Sequence, residues 1–288
     1  MFFCYNKIMI NWFPGHMNKT LKQMQQDSKI CDCFVYILDS RCPLSCINPE
    51  FVKVIGNKPI IFVLNKSDLV EKKDIEKFVQ FFSSQGRTCV SLNATISGNG
   101  KIIISAIKTV FKDRLQKNKE KNVKFIIRAM ILGIPNSGKS TIVNNLCRKA
   151  RAITGNRAGV TKSKQWIKLD SDIEVMDTPG VLLPNFDNEE NAYNLAITGA
   201  IKDEILYQPD VAVQLIKRLQ SLGKEKILNS KYGVDTDNNI QEIEILKLIG
   251  KKRGCLIKGG EIDIERSAKM LITDFRSGKL GKICLEII

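Results

Sequence analysis

Histidine is all but missing from this 288-residue chain, which has one imidazole, His16, against 45 lysines and arginines. Tryptophan is nearly as scarce, with two. The nine cysteines are odd in number and form no Cys-x-x-Cys pair, and one histidine cannot complete a Cys/His zinc set. A zinc scaffold and a disulfide scaffold are both disfavoured, and a reduced compartment fits better. Cys33, Cys89 and Cys284 sit in apolar runs, where a free thiol behaves as a small hydrophobe. No apolar run approaches the roughly 20 residues that span a bilayer. The opening MFFCYNKIMI lacks the basic flank, long apolar centre and small-residue cleavage site of a signal peptide. These absences argue against a membrane-spanning or secreted chain and predict a cytoplasmic one. Met9 is an alternative start, which would leave residues 1–8 as an extension.

Positive charge, by contrast, is abundant and uneven. The net charge is +15, and residues 1–180 hold all of it, with 29 Lys and Arg against 14 Asp and Glu. Residues 181–288 balance at 16 against 16. The excess concentrates in Lys101–Arg128 and in Arg148–Lys168, the latter without a single acid. One such run is ordinarily a solvated surface. Two in one half favour a polyanionic partner bound through counterion release, with nucleic acid leading.

GIPNSGKST, Gly133–Thr141, matches G-x-x-x-x-G-K-[ST] between the strand-like FIIRAMIL and the helix-like TIVNNLCRKA. That context is what a phosphate loop requires. The backbone amides of Asn136, Ser137, Gly138, Lys139, Ser140 and Thr141 can close around phosphate oxygens at a helix N-terminus. Lys139 would reach the β- and γ-phosphates, and the Ser140 hydroxyl would ligate Mg²⁺. DTPG, Asp177–Gly180, follows SDIEVM. It offers a carboxylate for the Mg²⁺ shell and a glycine N–H for the γ-phosphate. Thr161, in AGVTKSKQW, could add a second hydroxyl to Mg²⁺.

NKSD, Asn65–Asp68, follows the buried-strand pattern PIIFVL. Asp68 can accept from guanine N1–H and the exocyclic amine, whereas adenine would leave it unpaired, and an unpaired buried polar group discriminates strongly. Asn65 would hold N7 and the neighbouring loop, the Lys66 stem would cover the base, and Ser67 completes the turn. SLNAT, 91–95, adds Asn93 and Ala94, whose N–H could meet guanine O6. Together these motifs make GTP the expected substrate rather than ATP.

The motif order is rotated, with NKSD and NAT preceding GIPNSGKST, AGVT and DTPG. The chain thus resembles a circularly permuted GTPase. NWFPGHM, LDSRCPLSCINPE, TGNRAGVTKSKQWIK, GAIKDEIL and the block from KKRGCLIKGGEID onward resemble the bacterial ribosome biogenesis GTPase A family, over nearly the whole chain from Met9. The expected fold is α/β, a circularly permuted P-loop GTPase domain with a six-stranded, mostly parallel sheet flanked by helices, followed by a small all-α domain. Strands are predicted at 34–39, 59–64, 87–91, 124–132, 165–169 and 172–176. One helix and joint over 101–120 would connect the ordinary termini. The expected divisions are an N-terminal segment 1–20, a GTPase domain 21–184 and an all-helical domain 185–288. In the last, apolar i, i+3, i+4 spacing predicts helices in NEENAYNLAITGAIKDEI, QPDVAVQLIKRLQSL, NIQEIEILKLIGKKRG and DIERSAKMLITDFRSG.

Many GTPases orient the attacking water with a glutamine after the DxxG glycine, but here that residue is Val181. The resemblance implies two substitutes. Asn136 would help hold a K⁺ at the transferring phosphates, and His16 would be the catalytic histidine, brought into place by the ribosome. A turn anchor beside Trp12, Phe13 and Pro14, or an RNA contact, are the other readings of His16. Asn156, Ala158 and the serine of LDSR depart from the family pattern and bear on how firmly the Thr161 loop is held. The implied partner is the large ribosomal subunit precursor and its rRNA, touched by Lys251, Lys252, Arg253 and Lys258, with neither membrane nor DNA expected. A metabolic or tRNA-modifying GTPase is the competing class and would need a second catalytic constellation, such as a reactive C-terminal cysteine.

Overall fold

A computed structural model of the protein describes residues 15–154, 166–182, 188–236 and 240–288, with side chains from Asn18 onward in the first helix and up to Leu146 in the sixth. The Asn11–Pro14 part of NWFPGHM and the Thr161 loop fall outside the described residues.

Runs of β-branched and aromatic residues form the strands: β1 Cys33–Asp39, β2 Ile60–Asn65, β3 Thr88–Ser91, β4 Ile127–Gly133, β5 Trp166–Asp170 and β6 Ile173–Asp177. They make one sheet in the order β3-β2-β1-β4-β6-β5. All neighbours pair in parallel except β5 and β6, which form an antiparallel edge. The first strands are apolar at almost every position because both faces are covered, as a parallel sheet requires. Period-2 alternation divides them between two cores. Cys33, Val35 and Ile37 join α4 (Gly100–Val110) and α6 (Lys139–Thr154) on one side. Phe34, Tyr36 and Leu38 face the other.

That second face carries α1 (Gly15–Ser28), α2 (Pro49–Ile55) and α3 (Lys72–Ser84), and its core runs on without interruption into the C-terminal helices. These are α7 Glu189–Thr198, α8 Gln208–Ser221, α9 Lys226–Tyr232, α10 Glu242–Lys252 and α11 Ile264–Arg276. Asn188 and Asp263 cap α7 and α11 by accepting from backbone amides in the first turn.

The expected 101–120 helix is in fact two, α4 and α5 (Lys112–Glu120), broken at Phe111. Phe111 is buried with the Ile103–Ile107 face of α4, while α5 buries no side chain, so packing holds the first segment and leaves the second on the surface. The first predicted C-terminal helix stops at Thr198, where Gly199 takes a left-handed conformation. The short α9 carried too few residues for its periodicity to register.

The rotated chain order converges in space. From β1 the chain moves outward through β2 and β3, then returns through α4 and α5 to β4 beside β1. That junction is the topological switch point, where ligands of open α/β sheets bind at the strands' carboxyl ends.

Candidate nucleotide-binding site

The carboxyl ends of β1, β2, β3, β4 and β6 carry Asp39, Asn65, the 92–95 loop, the phosphate loop and Asp177 respectively. β1 and β2 place Asp39 opposite Asn65, and β4 and β6 place Ile131 opposite Asp177. The structure thus gathers the expected phosphate and guanine motifs along one sheet edge.

Asn65 is the tie between them. Its Nδ2 donates to Ser137 O at 2.8 Å, and its Oδ1 accepts from Ala94 N at 3.0 Å. One 2%-exposed amide therefore binds the phosphate loop, the NKSD strand and the NAT loop. Gly138 is required by this closeness, since a Cβ there would lie 2.1 Å from Asn65 Nδ2, at φ +94°. The Ala94 amide, expected to meet guanine O6, is committed to Asn65. Asn93 braces its own loop, accepting from Thr95 N and Thr95 Oγ1 at 2.8 and 2.7 Å.

Lys66 takes a left-handed backbone (φ 58°) at the start of a short turn, Ser67–Leu69. Its ammonium lies 2.8 Å from Asp39 Oδ2 and donates to Asn136 O at 2.8 Å. Ser67 N donates to Leu92 O. Asp68 is exposed beyond them, with its carboxylate available to a ligand edge.

On the phosphate side, Lys139 opens α6 and donates to Ile134 O at 3.0 Å. Burial pulls its ammonium down to about 8, against the opposing pull of Asp177. Partial desolvation by the surrounding loops raises the Asp177 carboxyl, although the side chain still reaches solvent, against Lys139 and the Thr178 amide. Ser137 Oγ donates to Ile134 O, and Asn136 (φ 56°) donates through Nδ2 to Gly199 O at 2.7 Å. Gly180 is held against this loop, where a Cβ would come within 2.7 Å of Pro135 N and 2.9 Å of Lys139 Nζ. Ser140, Thr141 and Asp177 are exposed. An exposed hydroxyl and carboxylate beside a lysine are the oxygen donors that a hard divalent cation takes. Asn136 Oδ1 is the atom of its amide left to accept from, or coordinate, a cation.

Val181 is fully buried, and its carbonyl accepts from Asn48 Nδ2, so its side chain cannot address a water. His16 belongs to the first turn of α1, and its side chain lies outside the described residues, as does all of Thr161. Lys251, Lys252, Arg253 and Lys258 are exposed at the end of α10 and in the turn closed by a Leu256–Ile262 bridge. Arg253 is partly engaged there, 5.1 Å over the Tyr232 ring.

Sequence reasoning missed Asp39 and Arg41. Two opposite charges closing an apolar strand, in CFVYILDSR, were the signal available.

A sequence profile described as "50S ribosome-binding GTPase" matches residues 128–248. It begins at the phosphate-loop strand and leaves the NKSD segment outside, as a permuted order demands. Ribosome biogenesis GTPase A of Bacillus cereus is 39% identical over 97% of this chain and 94% of its own length. That of Priestia megaterium is 40% identical over 96% of both. The chain belongs to the ribosome biogenesis GTPase A family. A solved structure, GDP-bound YlqF of T. maritima, superposes with a TM-score of 0.64 at 25% identity, covering 92% of this chain and 98% of that one.

Proposed function

We propose that this GTPase of the ribosome biogenesis class is Mg²⁺-dependent and K⁺-stimulated and acts late in maturation of the large ribosomal subunit. It binds the precursor and its rRNA in the GTP state and leaves after ribosome-stimulated hydrolysis. The observation that carries the reading is the Asn65 amide, which joins the phosphate loop to the guanine motif through Ser137 O and Ala94 N. Asp68 reads the guanine edge, and Asn65, Lys66, Ser67, Asn93 and Ala94 shape the base site. Asn136 to Thr141 take the phosphates with Asp177 and Gly180.

Ser140 and Thr161 would ligate Mg²⁺ and Asn136 Oδ1 would ligate K⁺. These ions supply positive charge against the phosphate oxygens when bound. The chain's own share is orientation, with Lys139 positioned at the loop mouth and Gly180 against it. Because Val181 is buried, the water-orienting group comes from elsewhere, and His16, in the first turn of α1, fills that role on the ribosome. Lys251, Lys252, Arg253 and Lys258 contact rRNA phosphates.

The competing modification enzyme is disfavoured. Cys255 and Cys284 are both 2% exposed, and burial pushes the Cys284 thiol up to about 12, which leaves it without thiolate character.

Co-sedimentation with large subunits in a non-hydrolysable GTP analogue is the test. Association lost in GDP supports the reading, and no association in either state refutes it. With His16→Ala, GTP affinity should persist while ribosome-stimulated turnover falls, and unchanged turnover would remove the histidine from the mechanism. Equal rates in K⁺ and Na⁺ would remove the potassium.

A further inference from the structure

The end of β1 and the loop after it hold a buried charge pair, Asp39 and Arg41, that lies outside the nucleotide motifs and reaches into one of them through Lys66. The Asp39 carboxylate receives Arg41 Nε at 2.9 Å on Oδ1 and Arg41 Nη2 at 2.7 Å on Oδ2, as well as the Lys66 ammonium. Asp39 and Arg41 are each 2% exposed. On its far side the same guanidinium donates to Thr198 O, at the end of α7, at 3.2 Å, and to Arg276 O, at the end of α11, at 3.4 Å. It also lies 5.5 Å over the Phe275 ring.

Arg276 reinforces this joint. Its Nε and Nη2 donate to Ile197 O and Ala196 O at 2.9 and 2.8 Å, and it pairs with Asp203. Asn136 takes Gly199 O. Four successive carbonyls at the end of α7, 196 to 199, thus accept from Arg276, Arg41 and Asn136. A helix C-terminus leaves such carbonyls without intrahelical partners and favours cations beside them. One helix end therefore anchors both the phosphate loop and the residue that holds Asp39.

We propose that Arg41 is a positioning residue for the nucleotide base, fixing Lys66 through Asp39 and making the geometry of the NKSD loop depend on the C-terminal ends of α7 and α11. The inference rests on the reading of Asn65–Asp68 as the guanine motif. Lysine carries its charge on a flexible four-carbon stem, so its placement must be imposed by its acceptors. Here the acceptors are Asp39 Oδ2 and Asn136 O. Asp39 in turn is oriented by the bidentate Arg41 fork. A lysine at position 41 would keep the charge but could not span Asp39, Thr198 O and Arg276 O together.

The test is Arg41→Lys in the full chain, titrated calorimetrically with GDP, IDP and ADP. Inosine lacks the exocyclic amine that Asp68 would read, whereas the Lys66 stem covers either base alike. Equal affinity of the parent for GDP and ADP would remove the guanine reading itself. Where the parent prefers GDP, Arg41→Lys should weaken GDP and IDP by the same factor, about tenfold, leaving their ratio intact. Unchanged GDP affinity in the folded variant, or a shifted GDP/IDP ratio, overturns the proposal. A merely structural role would lower stability without moving the affinity of the folded fraction. Should Arg41→Lys fail to fold, hydrogen exchange decides. At matched occupancy GDP should slow the amides of Arg41 and Cys42, which donate to Asp39, in the parent and not in Lys66→Met. Equal slowing in both overturns the proposal.

Discussion

The two halves of the candidate site treat their charges in opposite ways. On the base side, Asp39 is buried but satisfied. Burial opposes its ionisation, yet Arg41 and Lys66 hold the carboxyl well below the usual carboxylate range. On the phosphate side, Lys139 is 7% exposed with a backbone carbonyl as its hydrogen-bond partner, and its ammonium is pulled down to about 8. One half is completed by the protein, whereas the other holds a charge whose burial Asp177 offsets only in part. Strain of this kind is commonly retained where function needs it. The Asp39 charge is thus settled within the fold, whereas the Lys139 charge is not.

Breaking the base side should give the largest effect. Asp39→Ala leaves Arg41 buried without its carboxylate and should cost about 3–5 kcal/mol, read by urea unfolding. Because the folded carboxyl is depressed, the Asp39 contribution is present above the unfolded value of about 3.9 and is lost as pH falls through the folded one. The parent should accordingly lose stability in acid more steeply than the variant. Gly138→Ala strikes the seam between the halves, forcing a Cβ onto Asn65 Nδ2 at positive φ. It should cost about 1–3 kcal/mol and weaken GTP and GDP together, which titration would check. The smallest effect belongs to Lys251→Gln with Lys252→Gln and Lys258→Gln. Each is exposed, so stability should move by less than about 0.5 kcal/mol. The salt dependence of rRNA binding should become shallower, by about one unit of slope for each phosphate that the protein no longer neutralises.

How much of this was written in the sequence depends on the range of the interaction. The six strands, from CFVYILD to IEVMD, lie within a few residues of expectation because apolar runs are local. The phosphate loop was legible for the same reason, as were NKSD and the rotated order. What stayed hidden depends on partners far along the chain. Asn136 meets Gly199 O across 63 residues, Arg41 meets Thr198 O across 157, and Leu285 N donates to Arg41 O. The Ala94 amide looked free because nothing local reveals that Asn65 Oδ1 claims it. The break at Phe111 was masked because Ile103, Ile107, Val110 and Phe111 keep helical spacing right up to it.

The opposite sign of the two buried charges is tested most directly by urea unfolding of the ligand-free parent and Lys139→Met across pH. With Lys139 at about 8 in the fold and 10.5 as its ordinary value, the unfolded chain binds more protons between them, so parent stability gains with rising pH through that window. Lys139→Met should lack that gain and be more stable than the parent at pH 7, by on the order of 1–3 kcal/mol. A variant that is less stable at pH 7, with the same rise between about 8 and 10.5, would contradict the account.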